Sequence, residues 1–75
     1  MRGDRKMILK YDNETERYND LHCGASLKIK IDNKWVDVRI ELSGFPAERK
    51  GWYFIDENGF TKKCHTLEGC EIEID

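Results

Sequence analysis

A chain of 75 residues and 8.9 kDa holds one domain. By the area scaling of folded proteins it buries about 63% of the surface that its open chain exposes, enough for one small core and too little for a two-lobed enzyme or a nucleotide fold with crossover helices. Apolar residues make up 39% and charged residues 37%, too apolar and aromatic for disorder, and 13 basic against 15 acidic side chains give −2, so bulk charge draws the molecule neither to nucleic acid nor to an anionic membrane.

In chain order, the charged segment 1–6 reads as a flexible N-terminal arm. It leads into only three apolar residues, unlike a signal peptide, and no stretch approaches the roughly 20 apolar residues of a membrane span. Residues 7–11 form a short strand closed by Asp12-Asn13, with 17–19 as its partner. Residues 26–42 carry the strongest signal: Leu27, Ile29 and Ile31 alternate with Lys28, Lys30 and Asp32, and Val36, Val38, Ile40 and Leu42 alternate with Trp35, Asp37, Arg39 and Glu41. Strict period two on both sides of Asp32-Asn33 is a β-hairpin. A two-residue loop pairs Ile29 with Val36 and Leu27 with Val38 on one face, and Lys28 with Asp37 and Lys30 with Trp35 on the other. A four-residue loop keeps the same faces, whereas an odd loop sets Ile29 against Asp37, because a one-residue slip turns every side chain over.

Residues 43–50 hold the only proline and form the longest irregular stretch. Residues 51–55 are apolar on both faces, as in a strand crossing the middle of a small barrel. The segment 56–59 is a hairpin loop, with Gly59 suited to a left-handed position. Cys70, Ile72 and Ile74 alternate with Glu71, Glu73 and Asp75 in a last strand with an acidic outer face, read as a charged edge. No window carries a helical stripe. The expected fold is all-β: a single SH3-like barrel of five to six antiparallel strands.

With the strands placed, Leu21-His-Cys-Gly24, Trp35-x-x-x-Arg39-Ile-Glu41, Trp52-Tyr53 and Leu67-Glu-Gly69 stand in an order that resembles a family of short bacterial and phage-borne proteins known as a domain of unknown function. The resemblance spans residues 8–75. It implies a small all-β domain with no assigned activity, and makes the Leu-His-Cys-Gly turn and the Trp35/Arg39 pair framework features.

Cys23, Cys64 and Cys70 are odd in number and lack a disulfide framework, so they read as reduced thiols and the expected address is the cytoplasm. Together with His22 and His65 they are five soft-metal ligands. Neither C-x-x-C nor H-x-x-x-H spacing occurs, and adjacent strand residues point to opposite faces; a zinc site from Cys23, Cys64, Cys70 and one histidine stays geometrically open, but small buried hydrophobes are the better reading and no metal or other cofactor is expected. A Cys-His nucleophile needs a cleft and a third orienting group, and isolated turn glycines make no phosphate cradle; no enzyme is expected. Binding is the remaining class. Trp35 and Arg39 share the outer face of the central hairpin and are the residue types that anchor protein interfaces; Phe45 and Arg49, in the 43–50 loop, join them in the expected contact set for a protein partner. The plainer reading covers Trp35 with Lys30 and pairs Lys28 with Asp37. The alternative is a nucleic-acid-binding barrel using Lys28, Lys30, Lys50, Lys62 and Lys63, which must then lie on one face. The chain is expected as a monomer or weak homodimer.

Overall fold

The computed structural model describes residues 5–43 and 51–74. Among the described residues eight strands run in chain order: β1 (Arg5–Ile8), β2 (Tyr11–Asp12), β3 (Arg17–Tyr18), β4 (Ser26–Ile31), β5 (Lys34–Leu42), β6 (Trp52–Asp56), β7 (Thr61–Lys63) and β8 (Glu71–Ile74), with a 3₁₀ turn (Cys64–Leu67) before β8.

The central hairpin has the register that alternation requires for a two-residue loop: Leu27 faces Val38, Ile29 faces Val36, Lys28 faces Asp37 and Lys30 faces Trp35. Asp32 and Asn33 both take left-handed backbone, with φ of 51° and 66°. That is the type I′ geometry whose twist matches a tight hairpin, and Asn and Asp are the non-glycine residues that tolerate it best.

Six strands make one antiparallel sheet in the order β1-β8-β4-β5-β6-β7, and β2-β3 form a separate ribbon. The all-β architecture is as expected, but among the described residues the sheet is not closed into a barrel: β1 and β7 end it and do not pair with each other. Parity puts Leu27, Ile29, Val38, Ile40, Trp52, Phe54 and Ile72 on one face, all buried, where Leu9, Tyr18, Leu21 and Cys64 complete the core. The ribbon lies against this face: the Trp52 indole N–H donates to the Glu16 carbonyl at 2.9 Å, and the buried Tyr18 hydroxyl donates to Glu68.

Three strand expectations change. The first strand begins at Arg5, within the segment read as an arm, and 7–11 is not one strand. Leu9 is buried, with its N–H on the Cys70 carbonyl and its carbonyl accepting from Gly69, and the chain then leaves the sheet so that Tyr11 pairs with Tyr18 in the ribbon. The acidic strand β8 is no edge; it lies between β1 and β4 because its outward carboxylates match outward lysines. Glu73 faces Lys6 on one side and Lys28 on the other. The two true edges each have a carbonyl taken by a side chain, Ile8 by the Asn19 amide at 2.9 Å and Lys63 by the Thr66 hydroxyl at 2.7 Å, which blunts strand-to-strand association there.

Candidate binding face

Charge runs in rows across the outer face of the sheet. The middle row reads Lys6, Glu73, Lys28, Asp37 from β1 to β5, alternating at every strand. Cross-strand pairs of opposite sign are each stabilising by a few tenths of a kcal/mol, so the row is locally satisfied. Nearer the hairpin tip, Lys30 reaches Glu71 at 3.8 Å while its ammonium lies 5.9 Å from the centre of the Trp35 ring. Trp35 remains 40% exposed, and Ile8, opposite Glu71 in β1, is 52% exposed. The lysine therefore props the indole without hiding it.

Further along β5, Arg39 lies between Ser26 and Ile55 and forms an ion pair with Glu41. Glu41 also accepts from the Cys23 thiol at 3.1 Å. The thiol hydrogen bond first, and then Arg39, hold the Glu41 carboxyl below its ordinary range. A shallow groove of about 400 Å³, lined by Ser26, Lys28, Asp37, Arg39, Ile55 and Glu57 among others, runs beside the arginine. Trp35 and Arg39 thus share a face, four residues apart along one strand, about 13 Å at the usual rise.

Among the described residues the basic side chains do not make a stripe. Lys28 and Lys30 are on the outer face, and Lys63 joins them three strands away, opposite Tyr53. Lys62 faces Phe54 and so belongs to the core side of β7. Adjacent strand residues point apart, and the doublet is split for that reason. Phe45, Arg49 and Lys50 lie outside the described residues.

The thiols are dispersed. Cys23 is exposed, Cys64 buried and Cys70 half-buried, and among the described residues no group of three His, Cys, Asp or Glu side chains is placed to hold a metal. His22 Nδ1 lies 3.2 Å from Arg17. Burial, and secondarily the charge of Glu68, pushes the Cys64 thiol up from 9.0 to about 12. Because the folded value exceeds the unfolded one for an acid, its contribution is fully present below pH 9 and is lost as pH rises from there toward 12. Stability measured by denaturant is expected to fall with pH above about 9, and Cys64→Ala to flatten that slope; an unchanged slope would place its origin elsewhere.

A feature missed by sequence reasoning is Phe60, 71% exposed just before β7. The signal was available: Phe60 alternates with Lys62, so the two share a face.

A family model, the Domain of unknown function (DUF5348), matches residues 2–74. The chain belongs to this family. No curated protein and no solved structure matches it. In this DUF5348 domain the segments that carried the resemblance hold the frame. Leu21 is buried, Gly24 at φ 93° donates to the Ile40 carbonyl at 2.7 Å, and Gly69 at φ 96° donates to Leu9 at 3.0 Å. No helix among the described residues is long and apolar enough to cross a membrane.

Proposed function

We propose that this DUF5348 domain is a non-enzymatic binding module of the cytoplasm that docks on a protein partner through the outer sheet face, with Trp35 and Arg39 as its anchors. The observation that carries the reading is an exposed tryptophan held on a rigid strand within a face whose charges are largely neutralised by their own neighbours. A protein interface favours an aromatic and an arginine in a mixed-charge setting. Phosphate recognition needs uncompensated cations, and here Lys28 faces Asp37 and Glu73 while Lys30 is paired with Glu71. In the bacterial and phage setting implied by the resemblance, such a module suits a regulator or inhibitor of a host system.

The test is a tagged pull-down from bacterial lysate, split into nuclease-treated and untreated halves, with wild type and Trp35→Ala. A protein that co-purifies with wild type in both halves is expected, with affinity for Trp35→Ala weaker by about thirtyfold, as for a hot-spot tryptophan. Because Trp35 is exposed, the variant should melt within about 1 kcal/mol of wild type. Co-purified nucleic acid that disappears with nuclease and falls steeply with salt would reverse the assignment in favour of Lys28, Lys30 and Lys63.

A further inference from the structure

Cations on the outer face of the sheet have carboxylates beside them, with one exception among the described residues. Glu73 faces both Lys6 and Lys28, Lys30 is paired with Glu71, and Arg39 with Glu41. Lys63 faces Tyr53 instead and has no ion-pair partner among the described residues. Glu41 is the acid in its row, but Tyr53 stands between them, and two strand spacings, about 10 Å, separate their backbones. That carboxylate is already held by Arg39 and by the Cys23 thiol.

Lys63 lines a groove of about 410 Å³ at the end of the sheet where β6 begins, a volume within the range of small-molecule sites. The chain enters β6 through Gly51, at φ 73°, whose carbonyl accepts from the Ser43 N–H at 3.1 Å. With no side chain at 51, the groove is walled by Trp52 and by the half-buried rings of Tyr53 and His65. Its polar side chains are those of Ser43, Tyr53, Thr61, Lys63 and His65; each can donate a hydrogen bond, and no carboxylate lines it. A lining of one sign, in a chain of net charge −2, selects an anion. One uncompensated lysine is far from the row of cations that a nucleic acid requires, and matches a single anionic head group. Tyr53, Thr61 and His65 add donors to those of the ammonium, which suits the three terminal oxygens of a phosphate better than the two of a carboxylate. The aromatic wall suits a ring on the other side of the ester. We infer that this groove binds a small organic phosphate monoester, its phosphate on Lys63 and its ring against the aromatic wall. The site is separate from the protein-docking anchors, since Trp35 lies six residues along β5 from Glu41, about 20 Å at the usual rise.

Amide chemical shifts of the ¹⁵N-labelled full chain, titrated with phenyl phosphate to about 20 mM, read binding residue by residue. The amides of Tyr53, Thr61, Lys63 and His65 are expected to move and to saturate with a Kd on the order of 1 mM, the level of a small ligand anchored by one charge. Lys63→Met is expected to raise that Kd by about tenfold or more, through loss of a charge-assisted hydrogen bond. Lys6→Met removes the same charge from β1, where Glu73 faces it, and should leave the Kd within about twofold of wild type. Inorganic phosphate lacks the ring and phenol lacks the charge, so each is expected to bind at least about fivefold more weakly. Both lysines are exposed, and the dispersion of the amide spectrum shows that each variant is folded. The absence of saturable shifts at these amides overturns the inference, as does a Lys63→Met variant that binds like wild type or a Lys6→Met variant weakened equally. Phenol or inorganic phosphate binding as tightly as phenyl phosphate overturns it too.

Discussion

Phe54→Ala is expected to remove cooperative folding or to lower Tm by at least about 12 °C. Phe54 is 2% exposed and sits in β6, the strand that joins the central hairpin to the β7 edge, opposite Ile40. Truncating a buried phenylalanine costs about 3–5 kcal/mol, because the lost transfer energy is joined by that of the cavity left behind. A chain of 75 residues has a total stability of only about 4–11 kcal/mol at the usual stability per residue. At about 4 °C or more per kcal/mol for a domain of this size, the lower bound follows. Near-UV circular dichroism followed against temperature reads it, with Ile55→Ala as the comparison: Ile55 is the next residue, half-buried on the outer face, and should cost about 1 kcal/mol. A Phe54→Ala variant that melts with Ile55→Ala would mean that β6 does not cross the centre of the core.

What alternation could decide, it decided. Asp32-Asn33 and the parity on either side leave two registers, and the two left-handed residues of the observed turn choose between them. Hairpins are legible because all their information lies within a few residues. The position of β8 depends on a strand more than 40 residues earlier, and its charge pattern was visible while its partner was not. Glu71 and Glu73 read in isolation as a solvated edge; matched against the outward Lys28 and Lys30 of β4 they specify an interior strand. The same limit applies to closure, since nothing in the period of any one strand says whether the ends of a sheet meet. Residues 7–11 misled for another reason: Leu9 still bonds to Cys70 and Gly69, but Tyr11 pairs instead with Tyr18 in the ribbon, and a short apolar run does not say where a strand changes partner. In the candidate face, Trp35 and Arg39 were found because strand parity assigns a face. Lys62 and Lys63 were grouped by adjacency, which a strand does not respect.

Asn19→Ala is expected to destabilise the fold by about 3 kcal/mol although its side chain is not part of the core. The side-chain oxygen accepts from the Lys10 N–H and the amide donates to the Ile8 carbonyl, both at 2.9 Å, while its own N–H donates to the Lys10 carbonyl at 3.1 Å. One residue thus stands in for a strand beside 8–10 and ties the β2–β3 ribbon to β1. It does so at φ 49°, which asparagine tolerates and alanine does not. Two hydrogen bonds at about 1 kcal/mol each and a left-handed alanine at about 1 kcal/mol give the sum. Substitutions separate the parts. Asn19→Gly keeps the backbone geometry and should cost about 2 kcal/mol; Asn19→Asp keeps the acceptor for Lys10, loses the donor to Ile8, and should cost about 1 kcal/mol. Hydrogen exchange at the Lys10 amide reads the contact itself: protected in wild type and Asn19→Asp, exchanging freely in Asn19→Gly and Asn19→Ala. Protection that persists in Asn19→Ala would show that the ribbon is held by Tyr18 and Trp52 alone. In that case the freed Ile8 carbonyl would be an open strand edge without consequence for the fold.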